Sequence, residues 1–303
     1  MENRVIERLR AEAGEQVIKL NEPMAAHTTF RIGGPADVFA VPENADQAAV
    51  ILGICREEGV PFFILGNGSN LLVSDSGFRG VVIQIYRNMS ALKTEGQRIT
   101  AEAGASLASV SAAARDASLT GLEFASGIPG TVGGAVVMNA GAYGGEIKNV
   151  LAEAVVLTDR GQIRTIAASD LGLAYRTSVI REKGYTVVRA VFRLEKGETD
   201  AIRMTMQDLA RRRIEKQPLE YPSAGSTFKR PEGYFAGKLI MDAGFRGYCV
   251  GDACVSEKHC GFIINKGHAT AADVKKLMQE VTDGVFSRFG VRLEPEVRFL
   301  GDF

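Results

Sequence analysis

Apolar side chains recur at helical spacing along 44–57, where Ala48, Ile51, Leu52 and Cys55 share one face. A short apolar run at 62–65 predicts a strand stopped by Gly66, and 81–85 and 99–103 predict two more. Ser106 has the character of an N-cap, with Leu107, Val110 and Ala114 following on one helical face. Strands predicted at 153–157 and 187–194 precede a helix at 199–216, with Ile202, Met206 and Leu209 on one side. Arg211, Arg212, Arg213 and Lys216 cluster at its end, where cations suit the negative pole of the helix dipole. Pro218, Pro222 and Pro231 then interrupt the periodicity, so 217–231 reads as a boundary. Beyond it come a predicted strand at 260–265 and a helix at 270–289 whose core face is Val274, Leu277, Met278, Val281 and Val285. An extended end at 296–300 completes the pattern. With no internal repeat, this order of elements predicts an α+β protein with one larger and one smaller region.

Length agrees with that division, since 303 residues suggest two or three structural units. The 36 basic and 36 acidic side chains cancel, leaving no overall field to hold nucleic acid or an anionic membrane. Anionic small molecules would need local basic clusters. The N-terminal ten residues are charged and lack the apolar core of a signal peptide, and no run long enough to cross a membrane occurs, so a cytoplasmic protein is expected. In that compartment Cys55, Cys249, Cys254 and Cys260, none in a Cys-x-x-Cys pair, are expected as reduced thiols. Cys249, Cys254, His259 and Cys260 lack the spacing of zinc ligands and are read as packed thiols beside a loop histidine, with no metal.

Glycine changes the picture most. The chain has 34, a share well above the roughly 7% of ordinary proteins. One cluster is Gly66-Asn67-Gly68-Ser69-Asn70, directly after a predicted strand. The other runs Gly127-Ile128-Pro129-Gly130-Thr131-Val132-Gly133-Gly134 and continues through Asn139-Ala140-Gly141-Ala142-Tyr143-Gly144-Gly145. Glycine turns present successive backbone N–H groups to an anion, and two such loops suit the two phosphates of a dinucleotide. Neither loop is a Rossmann Gly-x-Gly-x-x-Gly or a P-loop, and the first taken alone is equally consistent with an ordinary turn.

Taken in order, Thr28-Thr29-Phe30-Arg31-Ile32-Gly33-Gly34, the two glycine clusters, Tyr175-Arg176, Gly225-Ser226-Thr227-Phe228-Lys229 and Leu293-Glu294-Pro295-Glu296-Val297 resemble the UDP-N-acetylenolpyruvoylglucosamine reductase family over nearly the whole chain. The short span between the glycine-rich block and Tyr175 resembles the shorter of its two types, without the extra substrate-covering loop. The resemblance implies a vanillyl-alcohol-oxidase/PCMH-type FAD-binding fold. It further implies an FAD-binding lobe at 1–88 rejoined by 297–303, a second at 89–215, and a smaller substrate-binding domain at 216–296. The implied reaction uses NADPH to reduce FAD, which in turn reduces the enolpyruvyl ether of a UDP-sugar to the lactyl ether of UDP-N-acetylmuramate, a peptidoglycan precursor. Related oxidases of the wider fold often tether the flavin through a histidine after Gly-x-Gly. Ser69 stands at that point here, which implies noncovalent FAD.

The resemblance also assigns residues. FAD contacts are implied for Gly66, Asn67, Gly68, Ser69, Asn70, Gly127, Ile128, Pro129, Gly130, Thr131, Gly133, Gly134, Ala140, Gly141 and Ala142. Arg176 would bind the substrate carboxylate and the developing enolate, a planar task suited to guanidinium. Ser226 would donate the proton, and Glu296 would assist electrostatically or by relaying one. Tyr175, Arg213, Lys216, Lys229 and Arg230 would contact the UDP-sugar, although Arg230 stands where some relatives have asparagine. Two alternatives stay open on residues alone: an oxidase of the same fold, marked by steady oxygen consumption, and a nucleotide-binding module without turnover.

Overall fold

The computed structural model describes residues 1–303, which form two compact units. The first comprises 1–19, 38–67 and 80–213, and the second 20–37, 68–79 and 214–303.

In the first unit, helix Asn3–Ala13 packs on helix Ala45–Glu57. The Asn44 side chain caps the latter by accepting from Gln47 N at 2.9 Å. Ala48, Ile51, Leu52 and Cys55 are fully buried, as their spacing predicts. Strand Phe62–Leu65 runs parallel to 81–84 of strand Phe78–Gln84. A five-stranded antiparallel sheet follows, in the order Ile163–Ala167, Leu151–Leu157, Thr186–Arg193, Arg98–Glu102, Leu92–Glu95. Helices Leu107–Asp116 and Val132–Val137 lie against it, and Ile99, Ala101, Leu107, Val110, Val156 and Phe192 share the core between. Ser106 caps the first of these helices, accepting from Ser109 N at 3.0 Å.

In the second unit, an antiparallel sheet is ordered Ser223–Ser226, Phe262–Asn265, Ala253–Val255, Cys249–Val250. Helix Ala271–Phe289 covers it and buries Val274, Leu277, Met278, Val281 and Val285, the five positions its periodicity selects. Thr270 and Asp273 form a capping box at its start, where the Asp75 carboxylate also accepts from Ala271 N at 2.8 Å and Ala272 N at 3.0 Å. Strand Arg298–Leu300 pairs in parallel with Leu71–Val73, so the chain's end returns to an early segment. That segment, however, clusters with the C-terminal residues rather than with the rest of 1–88.

Several readings need correction. Helix Asn3–Ala13 was not visible in the charged N-terminal run, although Val5, Leu9 and Ala13 give it a buried stripe. On helix Thr199–Lys216 the face of Ile202, Met206 and Leu209 is covered only in part, Ile202 being buried and the other two half-buried, and the rest of its length is largely solvated. Cys249 and Cys254 are not free thiols. They face each other across adjacent antiparallel strands, with Cα atoms 4.1 Å apart, and form a disulfide; Cys249 is exposed. Cys55 and Cys260 are free and buried, and burial pushes the Cys55 thiol up to about 12. No helix is long and apolar enough to cross a membrane.

Candidate active site

The sequence motifs gather into two clusters, one in each unit. In the first unit the two glycine loops meet. A Cβ built on Gly66 would lie 2.5 Å from Thr131 Oγ1, so only glycine fits there. The Asn67 amide donates to the Pro129 carbonyl at 2.8 Å, and the Gly66 carbonyl accepts from Gln84 Nε2 at 3.3 Å. Thr131 is buried, caps helix Val132–Val137 and holds its place through the backbone: Val132 N donates to Ala105 O at 2.9 Å and Gly133 N to Ala103 O at 2.8 Å. A Cβ on Gly133 would meet that of Ala103 at 3.1 Å, which accounts for the close seating of the loop on the sheet. The turn through Ile128 and Gly130 closes on itself, Gly130 N donating to Ile128 O at 2.8 Å.

Past the helix the chain makes a small hairpin. Gly141–Ala142 pairs with Gly145–Glu146, and Tyr143 and Gly144 both take positive φ, 51° and 89°, between them. Ala140 N donates to Ala135 O at 2.8 Å, which folds the hairpin back on the helix. The Arg213 side chain lies on the other end of this block, against Gly127. Burial pushes its guanidinium below the usual range, an effect partly offset by Tyr143.

Tyr175 and Arg176 occupy a tight turn closed by Ala174 N to Thr177 O and Thr177 N to Ala174 O, both 3.3 Å. Arg176 has φ +58°, a left-handed conformation usually taken by glycine or asparagine. Its guanidinium stacks over the Tyr175 ring at 5.3 Å. Two residues that motif reading missed tie the turn to the glycine block. Asn139 Nδ2 donates to Ala174 O at 3.2 Å and to Glu146 Oε2 at 2.8 Å, and Ser178 Oγ donates to Val137 O at 2.7 Å. The Glu146 carboxyl is held below its ordinary range by Lys148, Asn139 and, more weakly, Arg176.

In the second unit, Ser226 is exposed at the end of its strand, after a bulge at Gly225, which has φ +75°. The next residue, Thr227, is buried and connects three segments: its N–H donates to Gly261 O at 2.8 Å, its Oγ1 accepts from Ile263 N at 3.0 Å, and its carbonyl accepts from Glu296 N at 2.8 Å. The backbone of Glu296 is thus fixed one residue from Ser226. The Asn70 amide donates to Glu296 O at 3.2 Å, so this loop residue, read as a cofactor contact, also positions Glu296. Thr29 bonds Gly68 O through its N–H at 3.2 Å and Ser223 O through its hydroxyl at 2.6 Å. A Cβ on Gly68 would lie 2.1 Å from His27 O. Ser69 stands in this loop between Gly68 and Asn70.

The basic residues divide by environment. Lys229 is ion-paired to Glu294 at 2.9 Å, and Arg230 stacks on Phe235 at 4.0 Å while donating to Tyr234 O at 3.1 Å. Arg211 and Arg212 both bond Asp208, which favours the helix-end reading for these two, whereas Lys216 is exposed. The structure therefore groups Ser226, Glu296, Asn70 and Lys229 in the second unit and Gly66, Asn67, Pro129, Thr131, Arg176 and Arg213 in the first.

Comparison with known proteins assigns both regions. Residues 36–167 match an FAD binding domain, and residues 217–300 match the C-terminal domain of UDP-N-acetylenolpyruvoylglucosamine reductase. A UDP-N-acetylenolpyruvoylglucosamine reductase of Agathobacter rectalis is 57% identical, covering 93% of this chain and 94% of its own length. Another, from Lachnoclostridium phytofermentans, is 50% identical over 100% of this chain and 99% of its own. Among solved structures, the UDP-N-acetylenolpyruvylglucosamine reductase of Thermus caldophilus is similar with a TM-score of 0.81 at 34% identity, covering 94% of this chain and 98% of that one.

Proposed function

The chain belongs to the UDP-N-acetylenolpyruvoylglucosamine reductase family, and from that membership we propose the roles its residues play in reducing UDP-N-acetylglucosamine enolpyruvate to UDP-N-acetylmuramate. The α+β fold combines a PCMH-type FAD-binding region with a smaller domain, and the enzyme is an NADPH-dependent oxidoreductase of peptidoglycan precursor synthesis. FAD supplies the hydride-transfer chemistry that links NADPH to the enolpyruvyl ether. The glycine cradle fits such a cofactor. At Gly66 and Gly68 a Cβ would collide with Thr131 and with the His27 carbonyl, so the backbone stays bare along the loop. Gly66–Asn70 and Gly127–Gly134, with Ala140, Gly141 and Ala142, would hold FAD, and Ser69 offers no tether, so the flavin is noncovalent.

Within this reading Arg176 binds the carboxylate of the enolpyruvyl group and stabilises the negative charge that develops beside it. Ser226 donates the proton to the carbon next to that carboxylate, and Glu296 supports the transfer. Tyr175, Arg213, Lys216, Lys229 and Arg230 serve the UDP-sugar, and the enzyme works in the cytoplasm. The three domains 1–88, 89–215 and 216–296 follow from the same family reading. The observation that carries the chemistry is the 2.8 Å bond from Glu296 N to Thr227 O, which holds the carboxylate residue beside the exposed Ser226.

An anaerobic experiment tests the proposal. NADPH should reduce the bound flavin, and UDP-N-acetylglucosamine enolpyruvate should then reoxidise it with formation of UDP-N-acetylmuramate. A flavin that stays reduced on addition of that substrate would refute it.

A further inference from the structure

We infer that Asn139 and Ser178 are positioning residues that aim Arg176 from the end of the glycine-block helix, an inference that rests on the assignment of Arg176 to the substrate carboxylate. The turn 174–177 carries its arginine at φ +58°, outside the comfortable range of a residue with a side chain, so something must hold it there. Two side chains tie it to the C-terminal end of helix Val132–Val137, Asn139 from just past that helix and Ser178 from just past the turn. On one side of the turn, Asn139 Nδ2 donates to Ala174 O at 3.2 Å; on the other, Ser178 Oγ donates to Val137 O at 2.7 Å.

Asn139 is suited to its place in three respects. It is 2% exposed, so its amide has no water to fall back on. Its own φ is +43°, which asparagine tolerates better than most residues. Both amide donors are used, one N–H going to Ala174 O and the other to Glu146 Oε2 at 2.8 Å, and Oδ1 accepts from Lys148 N at 2.9 Å. It also directly precedes Ala140-Gly141-Ala142 of the proposed flavin cradle. One buried amide therefore ties the hairpin that follows it, the Glu146 carboxylate and the turn that bears Arg176.

Asn139→Asp keeps the shape, the left-handed preference and the acceptor for Lys148 N, but loses both donors and sets a second carboxyl against that of Glu146. Ser178→Ala removes the second tie together with the cap of helix Val179–Glu182, where the same hydroxyl accepts from Arg181 N at 3.3 Å. The FAD-loaded proteins would be compared with Arg176→Lys and with each double variant, following flavin absorbance in reduction by NADPH and in reoxidation by UDP-N-acetylglucosamine enolpyruvate. We expect Asn139→Asp to retain FAD and to be reduced by NADPH within about two-fold of the parent. Its reoxidation should slow by about 10²-fold, the scale of a misplaced catalytic group. Added to Arg176→Lys, it should slow reoxidation by less than about two-fold more, because both changes act through one side chain. Ser178→Ala should show the same selectivity with a smaller loss, and it carries the test if Asn139→Asp does not fold. Equal losses in both half-reactions, loss of flavin from both single variants, or effects that multiply with Arg176→Lys would overturn the inference. Undiminished reoxidation in Arg176→Lys alone would instead overturn the role of Arg176 itself.

Discussion

Gly66 and Thr131 touch where the two glycine loops meet: a Cβ on Gly66 would stand 2.5 Å from Thr131 Oγ1 and 3.3 Å from its Cγ2. Thr131 Oγ1 is also the acceptor that caps helix Val132–Val137. Gly66→Ala should therefore displace a buried hydroxyl and disturb the cap, whose loss costs about 1 kcal/mol. The flavin should then bind at least ten-fold more weakly, read by titration of the apoprotein with FAD. Combining it with Thr131→Ala, which removes the colliding atoms, should recover part of the loss. Unchanged flavin affinity in Gly66→Ala would separate this contact from the cofactor.

In the proposed role, Ser226 would protonate carbon and would take no part in hydride transfer from NADPH. Ser226→Ala should leave flavin reduction near the parent rate and slow reoxidation by the enolpyruvyl substrate by about 10²–10⁴, the usual scale for a positioned acid. Stopped-flow absorbance reads the two steps separately. Reoxidation at the parent rate would mean that another group or a water molecule delivers the proton.

Arg213 and Lys216 were grouped by sequence, but their surroundings differ. Lys216 is exposed, whereas Arg213 is half-buried against Gly127 of the flavin loop. Lys216→Met should weaken UDP-sugar binding about ten-fold or more through loss of a charge-assisted hydrogen bond, with flavin content unchanged. Arg213→Met should weaken both substrate and flavin, since it removes packing from the loop as well as charge. Calorimetric titrations with each ligand distinguish the two patterns, and identical effects on both ligands in the two variants would refute the distinction.

Periodicity disclosed the elements that bury one clean stripe. Helix Ala271–Phe289 and its five core positions could be read directly, because burial there follows helical spacing. Helix Asn3–Ala13 could not, since its charged face dominates a short segment: Arg8 alone bonds Glu12, Glu57 and Glu58. The Cys249–Cys254 pairing needs strand register, which spacing does not supply. Glycines and arginines of the site stood out by type and order. The residues that hold them did not: Asn139, Ser178 and Thr227 work through bonds to backbone atoms far along the chain, such as Ser178 to Val137 across 41 residues. Asn139 lay inside a run already singled out, and its place before Ala-Gly-Ala was the one available signal.

His259 offers a pH test of the scaffold beneath Ser226. Its Nδ1 accepts from Gly261 N at 3.1 Å, and Gly261 O in turn accepts from Thr227 N at 2.8 Å, next to Ser226. Burial holds the imidazole below its ordinary value of 6.5, so it is neutral in the folded protein at neutral pH. A protonated ring has no acceptor for Gly261 N, which reinforces the preference for the neutral form. The sign follows from linkage. Below about pH 6.5 the unfolded chain gains a proton that the folded chain resists, so the stability contribution is complete above that pH and is lost as pH falls towards the lower folded value. In His259→Asn the amide oxygen can accept from Gly261 N but does not titrate. Thermal unfolding midpoints between pH 8 and pH 5 should therefore fall more steeply for the parent than for this variant. Parallel curves would show that the histidine does not sense pH in the folded state.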